Sequence, residues 1–366
     1  MTCDRSAAAE RLNQGAGPSR PSGVDNSSAE TERSYLVTGA SGFLALHLID
    51  RLLACGHRVR GTLRRRERET DLRAALAHHG SGAARLEFVE ATLESDAGWD
   101  AACAGVDGVF HVASPVPGKT PLVDASFLGP AREGTLRVLE AADRAGARRV
   151  VLTSSVAAIT NGHPPRPAPF TAADWSIAEQ APPYEKSKTI AERAAWDWSA
   201  AHPDGPELVS VNPSFVLGPL LVAERSPSLD IVRLLVERKQ PGVADLYFGI
   251  VDVRDVAEAH YLAMTRPEAK GQRFLCNTEV LSHHQIACVL AAHLRPRGLR
   301  IATRRLPNWF VRLLGRFVPT IRFIVPRLGQ RKELDSSKLR QVLGWDPRPV
   351  GETLCETADS LLARPS

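Results

Sequence analysis

The chain has 366 residues, 43% of them apolar, a net charge of +5 and six scattered cysteines. That length is ample for a large core in two or three domains, and no uncharged apolar run reaches the roughly 18 residues of a membrane span, so no stable membrane insertion is expected. No cysteine pair has C-x-x-C spacing, which predicts free thiols in a reducing cytoplasm and no structural zinc.

The basic residues gather at Arg58–Arg68 and Arg304–Lys332. Neither cluster interleaves aromatics within a recognised nucleic-acid motif, so no nucleic-acid partner is expected. An anionic small ligand accounts better for the first cluster.

Residues 1–34 are Ser, Gly, Ala and charge, without the apolar centre of a secretory signal, and are expected to form a disordered tail. From Tyr35 onward short apolar runs alternate with helical patterns. Strands are predicted at Tyr35–Thr38, Val59–Leu63, Leu86–Val89, Gly108–Val112, Arg149–Thr153 and Glu207–Asn212. Phe43 to Cys55 has helical spacing, and Gly56 is placed to end that helix. The alternation predicts an α/β fold, a doubly wound parallel sheet of Rossmann type that binds ligands at the carboxyl ends of its strands. After Asn212 prolines punctuate a mixed stretch. Val251–Val253 is read as a return strand, with Asp255 capping the next helix. The expected organisation is a nucleotide-binding domain over 35–217, with a return strand near 250–276. A smaller, mostly helical substrate-binding part over 218–366 is interleaved with it.

Gly39-Ala40-Ser41-Gly42-Phe43-Leu44-Ala45 follows the first strand and opens the first helix. The first glycine permits a tight turn, the second lets the backbone approach a pyrophosphate, and the small third residue lets helix pack on strand. After the second strand stands Arg64-Arg65-Arg66 rather than a carboxylate. A carboxylate would repel a 2′-phosphate, whereas guanidinium groups grip one, so NADP(H) is the expected cofactor, with Arg64 as its principal contact.

Tyr184-Glu-Lys-Ser-Lys188 places a phenol and an ammonium one helical turn apart. The ammonium, in a partly desolvated site and together with the positively charged nicotinamide of the oxidised cofactor, is expected to favour the phenolate, moving Tyr184 from about 10 toward about 7. Ser155 ends a predicted strand and would face the same crevice, able to hydrogen-bond a carbonyl oxygen as Tyr184 protonates it. Local backbone capping is the plainer role for Thr153-Ser154-Ser155.

These motifs in this order resemble the extended short-chain dehydrogenase/reductases of the NAD-dependent epimerase/dehydratase superfamily. The likeness is to the branch of dihydroflavonol 4-reductase, aldehyde reductases and 3β-hydroxysteroid dehydrogenases, and it runs from about Tyr35 to Leu362. It is carried by Thr38–Ala45, Gly61–Arg64, Gly108–Pro115, Glu133–Leu136, Thr153–Ser155, Tyr184–Lys188, Asn212–Pro219 and Asp252–Val256. The resemblance implies Ser155 as carbonyl-binding serine, Tyr184 as general acid, and Lys188 as holder of the nicotinamide ribose. It implies further cofactor contacts at Val112, Ala113 and Ser114, at Pro213 and Val216, and at Ser228. The chain departs from the family at Thr92-Leu93, where Asp-Leu is usual beside the adenine. It also has Asp71 where a second basic residue is usual, leaving Arg65, Arg66 or Arg68 to substitute, and Thr160 in place of an asparagine tied to flavonoid recognition.

The adjacent pairs His78-His79 and His283-His284 lack metal-site spacing, and no metal is expected. Trp196 and Trp198 are read as core or helix-face residues. The basic amphipathic stretch Trp309–Val318 is read as a helix over the crevice rather than a membrane-surface element. Leu217, Leu220, Leu221, Val222, Tyr247 and Phe248 predict an apolar pocket free of Lys and Arg. The expected activity is reduction of a neutral hydrophobic aldehyde or ketone by an enzyme that is a monomer or homodimer. The alternatives are a 3β-hydroxysteroid dehydrogenase-like enzyme, a nucleotide-sugar epimerase or dehydratase, and an NADP-sensing regulatory protein. Arg64 speaks against the nucleotide-sugar enzymes, and the presence of both Tyr184 and Lys188 against the sensor.

Overall fold

The computed structural model describes residues 31–78, 82–115, 128–223 and 226–363. The tail expected at 1–30 lies outside them, while Ser34, assigned to that tail, already opens the first strand.

Seven strands form one parallel sheet in the order β3-β2-β1-β4-β5-β6-β9. They are β1 (Ser34–Val37), β2 (Arg58–Leu63), β3 (Leu86–Glu90), β4 (Gly108–His111), β5 (Arg149–Thr153), β6 (Glu207–Pro213) and β9 (Arg273–Cys276). Strands covered on both faces read as continuous apolar runs, and β4 is buried along its whole length. One face carries α1 (Phe43–Ala54) and α7 (Val253–Thr265). The other carries α3 (Trp99–Cys103), α4 (Leu128–Arg144) and α5 (Pro183–Ala201). Between β2 and β3 runs α2 (Glu69–His78). The core is therefore two layers, Leu46, Ile49 and Phe110 on one side and Trp99, Val138 and Leu152 on the other.

The end of α1 shows how local sequence positions the sheet. Gly56 adopts φ +86 and donates to Leu53 O at 3.0 Å, while His57 N–H donates to Leu52 O at 3.1 Å. This paired closure satisfies the last helical carbonyls and turns the chain into β2.

A second sheet, β10-β8-β7, is built from β7 (Phe215–Leu217), β8 (Tyr247–Asp252) and β10 (Glu279–Ser282). It packs with α6 (Pro227–Val236), α8 (His283–Leu294) and α12 (Val350–Ala363) around Leu229, Ile286 and Leu354. The remaining helices are α9 (Asn308–Phe317), α10 (Pro319–Arg322) and α11 (Ser337–Leu343).

Two expectations are corrected here. Val251 and Asp252 belong to β8 of the second sheet, Val253 opens α7, and the strand that rejoins the main sheet is β9. The cap of α7 is Asp252, which accepts from Arg254 N–H at 2.9 Å. Asp255 lies inside the first turn and instead accepts from Arg348 N–H and Nη1 at 2.8 and 2.6 Å.

Candidate active site

The chain leaves β1 toward β2 and β3 on one side, then returns to place β4 on the other. In an open parallel sheet that reversal opens a crevice beyond the carboxyl ends of the strands. The loops after β1, β2, β3, β4, β5 and β6 all sit at that edge, and the loop residues expected at the site lie on them.

At the switch between β1 and β4, Gly39 has φ +67, and a Cβ there would lie 3.0 Å from the Cβ of Ala113. A side chain is excluded twice over, by backbone conformation and by contact. Gly39 N–H donates to Thr62 Oγ1 at 2.9 Å, and Gly42 N–H to Gly39 O at 2.9 Å. The Thr38 hydroxyl accepts from Ala113 N–H and meets His111 Nδ1, each at 2.9 Å. Burial pushes His111 down to about 3, keeping it neutral and structural. Thr38 and His111 were not singled out in the sequence; they join the two loops of the crevice floor.

These residues fit a dinucleotide. Helix α1 begins at Phe43 with no side-chain cap from Gly42 and no acidic residue in its first turn. Its first amides are thus free to face a phosphate. Ser41, Gly42 and Leu44 are half-buried and Phe43 is buried in the core. Arg64, just past β2, is exposed and has no partner among the described residues, as have Arg65 and Arg68. Arg66 is committed to Glu69 and to Phe88 O. Beyond β3, Leu93 packs on Gly134 of α4 and Thr92 O accepts from Trp99 Nε1 at 3.0 Å. Val112, Ala113 and Ser114 are half-buried after β4. After β6, Pro213 is buried and Val216 half-buried, and Ser228 is half-buried in the first turn of α6.

The chemical groups come from β5 and α5. Ser155 Oγ accepts from Ala157 N–H at 3.1 Å, which leaves its own hydrogen uncommitted. The Tyr184 hydroxyl and the Lys188 ammonium have no hydrogen-bond partner among the described residues. Burial, with a smaller contribution from Glu185, pushes the Tyr184 phenol up to about 12. Burial likewise lowers Lys188 to about 8, opposed by Glu192. The value of about 12 reflects the protein's own groups, whereas the lowering expected for Tyr184 counts the charge of an oxidised nicotinamide as well as that of Lys188. Desolvation disfavours phenolate and ammonium alike and is the largest cause of both shifts.

Glu192, one turn beyond Lys188, was missed in the sequence. Its carboxylate is buried and accepts from Ser154 Oγ (2.6 Å), Ser210 Oγ (2.8 Å), Asn212 Nδ2 (2.7 Å) and Arg273 Nε (2.8 Å). Burial pushes this carboxyl up, yet Arg273 and the hydroxyl donors outweigh it and hold Glu192 below the usual range. Asn212 Nδ2 also donates to Ser155 O at 3.2 Å. One buried carboxylate thereby ties the end of β5, β6 and β9 to α5. A cavity of about 20 Å³, large enough for one water, lies between Lys188, Glu192, Ser154, Thr135 and Ser114. The available signal was Tyr-x₃-Lys-x₃-Glu, three polar groups on one helical face.

The expected apolar pocket is corrected in part. Leu217, Leu220 and Leu221 are core residues, because β7 and the turn after it are roofed by α6, α12 and the main sheet. Val222, Tyr247 and Phe248 remain half-exposed, and Phe215 joins Phe248 edge-to-face at 5.3 Å. The C-terminal segment brings Arg331 over the Tyr247 ring at 5.7 Å, paired with Glu333. Among the described residues no group of three or more His, Cys, Asp or Glu comes together to hold a metal, and no helix is long and apolar enough to cross a membrane.

A parallel sheet with an uncapped glycine loop at its switch point defines a dinucleotide-binding protein of the Rossmann type. More narrowly, the chain belongs to the NAD dependent epimerase/dehydratase family, whose model matches residues 35–276. It is 35% identical over 260 residues to tetraketide alpha-pyrone reductase 2 of Arabidopsis thaliana, covering 69% of this chain and 80% of that one. It is 31% identical over 264 residues to dihydroflavonol 4-reductase of Hordeum vulgare, covering 70% and 73%. The structure of yeast methylglyoxal/isovaleraldehyde reductase complexed with NADPH superposes with a TM-score of 0.74 at 25% identity, over 90% of this chain and 98% of that one.

Proposed function

We propose that the protein reduces a neutral, hydrophobic aldehyde or ketone to the alcohol, with Ser155, Tyr184 and Lys188 as its working groups. The broader activity, NADP-dependent carbonyl reduction, is common ground with the reductases it resembles. The observation that carries the finer reading is three uncommitted donors, the hydroxyls of Ser155 and Tyr184 and the ammonium of Lys188, beside a dinucleotide loop.

In this reading the Gly39–Leu44 loop holds the pyrophosphate on the first amides of α1, and Arg64 takes the 2′-phosphate. Thr92 and Leu93 border the adenine, while Val112–Ser114, Pro213, Val216 and Ser228 line the rest of the cofactor groove. The bound NADPH supplies the hydride. Ser155 donates a hydrogen bond to the substrate carbonyl oxygen, and Tyr184 gives that oxygen its proton. The phenol, pushed up to about 12 by the protein's own groups, holds its proton at neutral pH, and a positive charge beside it is what eases the release of that proton to the substrate. Lys188 holds the ribose and supplies the positive charge that receives the developing phenolate. Phe215, Tyr247 and Phe248 favour a flat apolar substrate by area and shape. The nucleotide-binding unit is then 35–217 plus β9, with the remainder shaping the substrate side.

The test is NADPH consumption against straight-chain, aromatic and carboxylated carbonyls, with Tyr184→Phe alongside. Tyr184→Phe is expected to cut kcat by about 10²-fold or more with NADPH binding nearly unchanged. A carboxylated or nucleotide-linked carbonyl as best substrate, or a Tyr184→Phe enzyme of normal turnover, would sink the proposal.

A further inference from the structure

Between Val280 and Lys332 the chain has ten Arg and one Lys but no Asp or Glu. The whole chain carries only +5, so the remainder is net acidic and this segment is a separate basic surface. Helix α9 lies in its middle. At 3.6 residues per turn, Trp309, Leu313 and Phe317 form a stripe on the side opposite Val311 and Gly315, with Arg312 and Arg316 along one edge. The inner side is satisfied, as Val311 is buried with Leu246 and Leu328 beside Phe248. The outer stripe is not, since Trp309 is 67% and Phe317 76% exposed, and Phe323 on the following turn adds 46%. The helix thus packs toward Phe248 through Val311 and presents its large aromatics outward.

We propose that this outward face docks on anionic lipid headgroups, giving the protein a peripheral membrane contact beside its substrate crevice. Arg304, Arg305, Arg312, Arg316 and Arg322 form no ion pair among the described residues, which leaves their charge for an external anion. Trp, Leu and Phe between arginines on one helical face match the boundary where acyl chains meet charged headgroups. A second copy of the chain fits poorly. A two-fold contact through this face would set Arg312 and Arg316 of two molecules together with no carboxylate in the segment to offset them. Asp245 accepts from Asn308 Nδ2 at 3.3 Å at the helix start, and the carboxylates of Glu185, Glu333 and Asp359 are paired with Arg327, Arg331 and Arg297. The proposal is independent of the substrate assignment and of the catalytic roles.

The experiment is vesicle flotation of the full chain with phosphatidylcholine vesicles with and without phosphatidylglycerol. Binding is expected at least about tenfold stronger to the anionic vesicles and weakened by added salt. Trp309→Ser/Phe317→Ser and Arg312→Glu/Arg316→Glu should each weaken it by about tenfold or more, while turnover in lipid-free buffer stays unchanged. These side chains are exposed, so neither variant disturbs the core. No binding to anionic vesicles would overturn the proposal, as would binding that depends on the arginines but not on Trp309 and Phe317. It is overturned equally by a concentration-dependent dimer that Trp309→Ser abolishes, or by loss of lipid-free turnover in these variants.

Discussion

Replacing Glu192 by Gln keeps the size of the side chain and removes its charge. Lys188 and Glu192 are one helical turn apart, about 6 Å along the axis. A unit charge pair at that separation and an effective dielectric constant of about 20 is worth about 3 kcal/mol, or about 2 pK units. The substitution also leaves the guanidinium of Arg273 without its carboxylate partner. If Lys188 must be an ammonium to act, activity falls as pH rises through about 8 in the native protein. In Glu192→Gln that alkaline limb is expected near pH 6, so kcat/KM at pH 7 drops by roughly tenfold and recovers at pH 5.5 to within about twofold of native. The assay is kcat/KM for NADPH-dependent reduction between pH 5.5 and 9.5, with circular dichroism at each end. Recovery at low pH separates a lost charge from a lost fold. An unmoved limb, or a uniform loss at every pH, would refute the electrostatic role.

Arg64→Asp should lower the preference for NADPH over NADH by about tenfold or more, some 1.4 kcal/mol, read as the ratio of kcat/KM values; an unchanged ratio would remove Arg64 from the 2′-phosphate. Lys188→Met should abolish turnover yet raise stability at pH 7 by about 1–3 kcal/mol in urea unfolding. The sign follows from burial. The folded ammonium titrates at about 8 rather than 10.5, so the folded state carries a disfavoured charge below pH 8, and that penalty fades between pH 8 and 10.5. A Lys188→Met protein less stable than native at pH 7 would contradict this.

Much of the frame was legible in the chain because it is local. Parallel strands buried on both faces must be apolar runs, and glycine with positive φ must stand where Gly39 and Gly56 stand. Tyr184 and Lys188 share a face by helical spacing alone. The errors arose where distant segments meet. Leu217, Leu220 and Leu221 look like pocket residues until α6 and α12 are seen to cover them. The cap of α7 is Asp252 rather than Asp255, because β8 runs directly into a helix that starts at Val253 and so leaves Asp255 inside the first turn, where Arg348, far along the chain, pairs with it.

By itself the sequence determined the parallel α/β plan, the glycine loop, an arginine rather than a carboxylate beyond β2 and the order of Ser155, Tyr184 and Lys188, since periodicity and backbone stereochemistry act over a few residues. Only the tertiary structure decided that Glu192 gathers Ser154, Ser210, Asn212 and Arg273 from beside and within three strands, that burial among the protein's own groups pushes the Tyr184 phenol up, and that α9 turns Trp309 and Phe317 outward. Those outcomes depend on desolvation and on contacts between residues tens of positions apart, and neither quantity is written in local spacing.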